Sequence, residues 1–250
     1  MAMGPVVTLT VQFIAPLLVL SFGVLALRVA PDPGTSTRTS AWFMAGVTFT
    51  ADGAVATVHA LLAVGAFIAG EGTTFYDVYL RFMPPGNDAR SMVVLGFALA
   101  LAWVVLLERP APRRRAIIAG AVVLLAAGFV VGLFEPPVAT GGDHFLVMSF
   151  FGAATAVLLF AALYRAMVRE TLDWLLWVAL ALYAVHEAIS SNVQTVLSWA
   201  GFGGGWTPTT RAMHWAGMLS ALAMLACTMR RLSIARAGGE APGLLERLRG

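Results

Sequence analysis

Long hydrophobic runs alternate with short polar stretches along the whole chain. Seven runs stand out, at about 5–27, 41–70, 91–107, 115–134, 144–168, 171–199 and 208–229. A helix crosses a bilayer with about 20 apolar residues, and these runs are near or above that length. The third is short and the second and sixth are long, which predicts tilt or interfacial ends there. The stretches "APDPGTST", "RFMPPGND", "ERPAPRRR", "FEPPVATGGD" and "GFGGGWTPT" fall between the runs, where Pro and Gly act as helix breakers. In the second connection, "TTFYDVYLRFMPP" predicts a short interfacial helix with Phe75, Tyr76, Tyr79 and Phe82 at headgroup level. The pattern predicts an all-α integral membrane protein with seven transmembrane helices. Residues 1–250 then form one polytopic domain, ending in a basic tail over 230–250.

Composition agrees with a lipid solvent. Hydrophobic residues make up 59% of the chain, charged ones only 12%, and the mean hydropathy is +0.83. Soluble domains carry about 25% charged residues, so this chain lacks the means to cover itself in water. All 16 basic residues are arginine. With the N-terminus outside, 13 of these 16 fall in cytoplasmic segments, leaving Arg81, Arg90 and Arg211 in outer loops. That asymmetry follows the positive-inside rule and predicts an outer N-terminus and a cytoplasmic C-terminus. The location it implies is a bacterial cytoplasmic (inner) membrane. The pI near 9.6 then reflects contact with anionic lipid, and nucleic acid is not an expected partner.

Several chemistries are excluded by what is missing. Without lysine there is no retinal Schiff base, no pyridoxal aldimine and no Walker-A phosphate contact. Cys227 is the sole cysteine, so neither an intrachain disulfide nor a Cys-based zinc framework can form. The first run lacks a basic leader and a small-residue cleavage site, and reads as a retained span. The third and fourth runs are almost wholly apolar and are expected to face lipid or a partner subunit. Gly128 and Gly132 in the fourth make a GxxxG face, most simply for packing within the chain.

Polar residues gather in the second, sixth and seventh runs. Thr48, Asp52 and His59 share one helix face, as do Tyr183, His186 or Glu187, Ser190 and Gln194. Arg211 and His214 are three apart, with Gly217 and Ala221 allowing close approach below them. At about 1.5 Å per residue, His59 and His186 lie roughly 15–20 Å below the outer ends and His214 roughly 10 Å. His144 opens the fifth helix after Asp143. Ionisable groups left alone in hydrocarbon cost several kcal/mol each, so they are expected to meet. The prediction is a polar pocket in the outer half, between helices two, six and seven, with Gln12 as a further contributor. Its candidate binding residues are Asp52, His59, Tyr183, His186, Glu187, Ser190, Arg211 and His214.

The leading reading of such a pocket is ligand or cofactor binding without chemistry, in a sensor or an accessory subunit of a larger membrane assembly. A second is porphyrin ligation, with His59 and His186 as axial ligands of a b-type haem, or one of them on a chlorophyll magnesium. A third is a membrane-embedded zinc hydrolase, with His59, His186 and His214 on Zn²⁺ and Asp52 or Glu187 as base. The last helix has no HxxxH pair, since that spacing reads Arg211 to His214 and Trp215, which counts against the hydrolase. Proton or solute transport through Asp52 and Glu187 is a fourth.

Overall fold

The computed structural model describes residues 3–33, 36–134, 143–199 and 208–249, with side chains described over 13–33, 36–134, 150–190 and 215–249. Among them the chain is helical: α1 (Met3–Val29), α2 (Thr37–Ala69), α3 (Thr74–Val105), α4 (Arg114–Leu133), α5 (Asp143–Arg169), α6 (Trp174–Trp199), α7 (Pro208–Arg236) and α8 (Leu244–Arg249). Five of these, α2, α3, α4, α5 and α7, are long and apolar enough to cross a membrane, and α1 and α6 add shorter apolar stretches, Phe13–Val29 and Trp174–Ser190. Side-chain oxygens cap two helix starts. Ser36 accepts from the Thr39 amide at the head of α2, and Thr73 accepts from the Tyr76 amide at the head of α3.

Neighbour relations define the architecture. α1 packs on α2, α2 on α3, α3 on α5, α5 on α6, α6 on α7, and α7 back on α1. Six helices thus close a ring, while α4 lies outside it, against α3 and more weakly α2. α4 is the least covered of the five long apolar helices, with 17% of its apolar window buried, and α3 the most, with 56%. α3 is thus mostly an interior helix that keeps one apolar face uncovered at Leu99 and Trp103, while α4 is uncovered over most of its length.

α3 also departs from the expected boundaries. The apolar pattern begins it at residue 91 and gives the preceding stretch to a separate interfacial helix and a break at "RFMPPGND". Instead one helix runs from Thr74 to Val105 with Pro84 and Pro85 inside it. Each proline deprives the carbonyl four residues earlier of its amide donor, but proline's φ is itself helical. Tertiary packing holds the segment, since residues 84–89 are all buried. α4 is their support: a Cβ on Gly132 would lie 2.5 Å from the Pro85 Cα, and one on Gly128 would lie 2.6 Å from the Ala89 Cα. The GxxxG face packs within the chain, as the simplest reading expects.

One end of the ring is apolar inside and tied together by polar contacts at its rim. Phe22, Phe49, Phe97 and Tyr183 stack edge to face through the interior, with Phe22–Phe49 centroids 5.1 Å apart and Phe49–Tyr183 4.9 Å, and Trp42 lies tilted against Phe22. At the rim, the buried Asp173 carboxylate accepts from the Trp42 indole (2.6 Å), the Leu176 amide (2.9 Å) and the Arg231 guanidinium (3.3 Å). It therefore joins α2, the start of α6 and α7. The tail docks on its own chain here. Arg38 donates to the Ala241 and Glu170 carbonyls, and the Trp174 amide donates to the Pro242 carbonyl. Arginines pair across loops at the same end, Arg165 with Glu108 at 2.7 Å and Arg114 with Asp32 at 2.9 Å.

Asp173→Ala leaves the Arg231 charge and the Trp42 indole without their acceptor. It is expected to lower unfolding stability by about 3–5 kcal/mol, read as an earlier transition in detergent denaturation. Arg114→Ala, at an exposed pair, should change it by less than about 1 kcal/mol.

Candidate ligand cavity

The opposite half of the ring is hollow. A cavity of about 370 Å³ is lined by side chains from all six ring helices and none from α4. That volume places it among small-molecule pockets, which run from about 300 to 1,000 Å³. The aromatic stack closes it on one side, with Tyr183 belonging to both.

Each helix contributes through its own periodicity. On α2, Asp52, Ala56, His59, Ala60 and Ala63 face inward at spacings of three, four and seven. On α3, Tyr79, Met83, Asn87, Arg90, Ser91 and Val94 do the same. On α6 the stripe is Tyr183, His186, Glu187 and Ser190. α1 supplies Ala15, Pro16 and Val19, α5 Phe151, Gly152 and Thr155, and α7 Gly217, Ser220, Ala221 and Met224. Small residues dominate α1 and α7, so the space comes from missing side-chain volume on those walls.

The charged centre is an ion pair between α2 and α3. The Arg90 Nε donates to Asp52 Oδ1 at 2.7 Å. Asp52 is 4% exposed and Arg90 35%, and the open part of the guanidinium is a wall of the cavity. Glu187 completes the group from α6. It accepts a hydrogen bond from Tyr183 one turn away and lies within Coulombic range of both Asp52 and Arg90. His59 packs beside Tyr79 (centroids 5.6 Å apart) and edge-on to Phe82 (6.4 Å). His186 fits against Gly217, where an added Cβ would lie 3.0 Å from its Cε1.

The structure thus brings together six of the eight residues expected from sequence, Asp52, His59, Tyr183, His186, Glu187 and Ser190, along one cavity. Arg211 and His214 lie on α7, and His144 on α5, Gln12 on α1 and Gln194 on α6, but their side chains fall outside the described residues. Thr48 is buried in the α2 core and is not part of the lining. Arg90 needs the larger correction. Assigned by the apolar pattern to an outer loop, it sits inside α3 and neutralises Asp52. Its signal was present as the helical spacing Tyr79–Met83–Asn87–Arg90–Val94, which passes straight through the two prolines. Among the described residues no three His, Cys, Asp or Glu side chains are grouped to hold a metal ion.

Comparisons with protein-family models and with curated proteins find no match.

Breaking the ion pair from one side strands a charge in the bundle. Asp52→Ala or Arg90→Met is expected to cost about 3–5 kcal/mol, and Asp52→Ala with Arg90→Met together clearly less than the sum. A double-mutant cycle in detergent unfolding measures this. Additive losses would mean the two groups do not interact.

Proposed function

We propose that the chain is a seven-span membrane protein, N-terminus outside and C-terminus cytoplasmic, that binds a small ligand in its central cavity without chemically transforming it. Residence in a bacterial cytoplasmic membrane goes with that orientation. The observation that carries the reading is the partly open cavity, lined by all six ring helices and centred on Asp52, Arg90 and Glu187. Groups so costly to bury are expected where a ligand or ion is handled. A non-catalytic role is favoured because the acid groups are occupied structurally: Asp52 holds Arg90 and Glu187 is bonded to Tyr183. In the proposed orientation the cavity lies in the outer half, and the end locked by Asp173 faces the cytoplasm. α4, outside the ring and mostly uncovered, is the face assigned to lipid or to a neighbouring subunit of a larger assembly.

A porphyrin between His59 and His186 is the second reading, since both rings border the same cavity.

Two experiments test the proposal. Protein purified gently from native membrane should carry a non-covalent small molecule in solvent extracts, lost in Ala60→Phe, which fills the cavity. A Soret band in its absorption spectrum would instead favour the porphyrin reading. For orientation, Cys227→Ala carrying Glu71→Cys should react with a membrane-impermeant maleimide on intact cells. The same background carrying Arg109→Cys should react only after permeabilisation, and the reverse pattern would contradict the topology.

A further inference from the structure

A second cleft, of about 260 Å³, opens at the filled end of the ring. Its walls are Trp174 at the start of α6, Arg230 and Ile234 near the end of α7, and Pro242 and Arg247 of the docked tail. The tail side of the cleft is fixed by hydrogen bonds. The Trp174 amide donates to the Pro242 carbonyl at 3.0 Å, Arg38 donates to the Ala241 carbonyl at 3.3 Å, and the Gly243 amide donates to the Glu246 carboxylate at 3.2 Å. α8 is therefore held beside α6, and the cleft exists without a ligand to form it.

Two guanidinium groups share this cleft, and they differ from most others at the same end. Arg114 is paired with Asp32, Arg165 and Arg169 with Glu108, and Arg231 with Asp173. Arg230 and Arg247 are exposed, and among the described residues neither forms a salt bridge. Arg247 is steadied instead by the Trp174 ring, with its guanidinium carbon 5.8 Å from the ring centroid. Guanidinium forks of this kind match the oxygens of a phosphate group.

Position decides which phosphate. Trp174 begins the apolar stretch of α6, and Arg230 lies in the last turns of the apolar part of α7, so the cleft sits where a bilayer has its headgroups. Each arginine also has an exposed apolar neighbour in sequence: Met229, 58% exposed, precedes Arg230, and Leu248, 72% exposed, follows Arg247. Acyl chains would cover these side chains, whereas a soluble phosphate compound would leave them bare. A zwitterionic lipid brings its own cation close to the two guanidiniums, which disfavours it.

We infer that this cleft is a binding site for an anionic phospholipid. The lipid phosphate accepts hydrogen bonds from Arg230 and Arg247, and its acyl chains run along Met229 and Leu248. The site is separate from the central cavity and does not depend on what that cavity holds.

Native mass spectrometry of the full chain in detergent, titrated with dioleoyl phosphatidylglycerol or dioleoyl phosphatidylcholine, tests the inference through the first lipid bound. Phosphatidylglycerol should bind about tenfold or more tighter than phosphatidylcholine. Arg230→Gln and Arg247→Gln should each weaken phosphatidylglycerol about fivefold, and the two together should remove the preference. Arg109→Gln, an exposed arginine at the same end outside the cleft, should leave it unchanged, and excess inorganic phosphate should not displace the lipid. A preference that survives the double substitution, or one lost equally in Arg109→Gln, overturns the site in favour of diffuse charge attraction. Equal binding of the two lipids, or displacement by inorganic phosphate, overturns the assignment to an anionic lipid.

Discussion

A carboxylate cannot stand alone among hydrocarbon, and the consequences of that constraint run through this structure. Asp52 sits at the middle of α2, and its partner must come from another helix at the same level. Arg90 can meet it only if α3 is already helical there. That requirement, together with the glycine face of α4 beneath Pro85 and Ala89, carries α3 through two prolines that would otherwise end it. Once α2 and α3 are joined at this height, the remaining four ring helices have a polar centre to enclose, and α4 is left as the outer support.

The ring is built differently at its two ends. Around Trp42 and Phe49 it is filled with aromatic rings and bound at the rim by Asp173, which gathers α2, α6 and α7 and lies where the tail folds back. Around Asp52 and Glu187 the interior is polar and partly empty, and alanine and glycine line much of the wall. Packing density resists deformation where it is high. The filled end therefore acts as a rigid base, and any adjustment falls to the hollow half. Tyr183 joins the two, resting edge-on against Phe49 while its hydroxyl bonds to Glu187.

Much of this was legible in the sequence, for physical reasons that can be named. Membrane helices follow from long apolar runs, and the stripes on α2 and α6 follow from helical spacing, so Asp52, His59, His186 and Glu187 were recognisable as facing inward. The GxxxG contact of α4 was legible too, although not the prolines it supports. What escaped was α3. Hydropathy averages out the stretch from Tyr79 to Arg90, and adjacent prolines signal a break whenever local rules act alone. Tertiary contacts reverse that signal, and they were invisible until the helices were placed. Arg90 was therefore counted among loop charges, and the partner of Asp52 was missed along with the part of the cavity wall that α3 provides.

The polar residues of α2, α3 and α6 face a partly open cavity that water can enter, and not lipid. The most direct test is nitroxide accessibility in lipid bilayers, on Cys227→Ala protein labelled at one site at a time. Ala60→Cys, on the cavity wall, should be relaxed by a water-soluble nickel chelate and protected from oxygen. Val122→Cys on α4 and Leu99→Cys on α3, both on exposed apolar surface, should show the opposite. Equal oxygen accessibility at all three positions would mean that the α2 face lies against lipid, and the ring described here would be wrong.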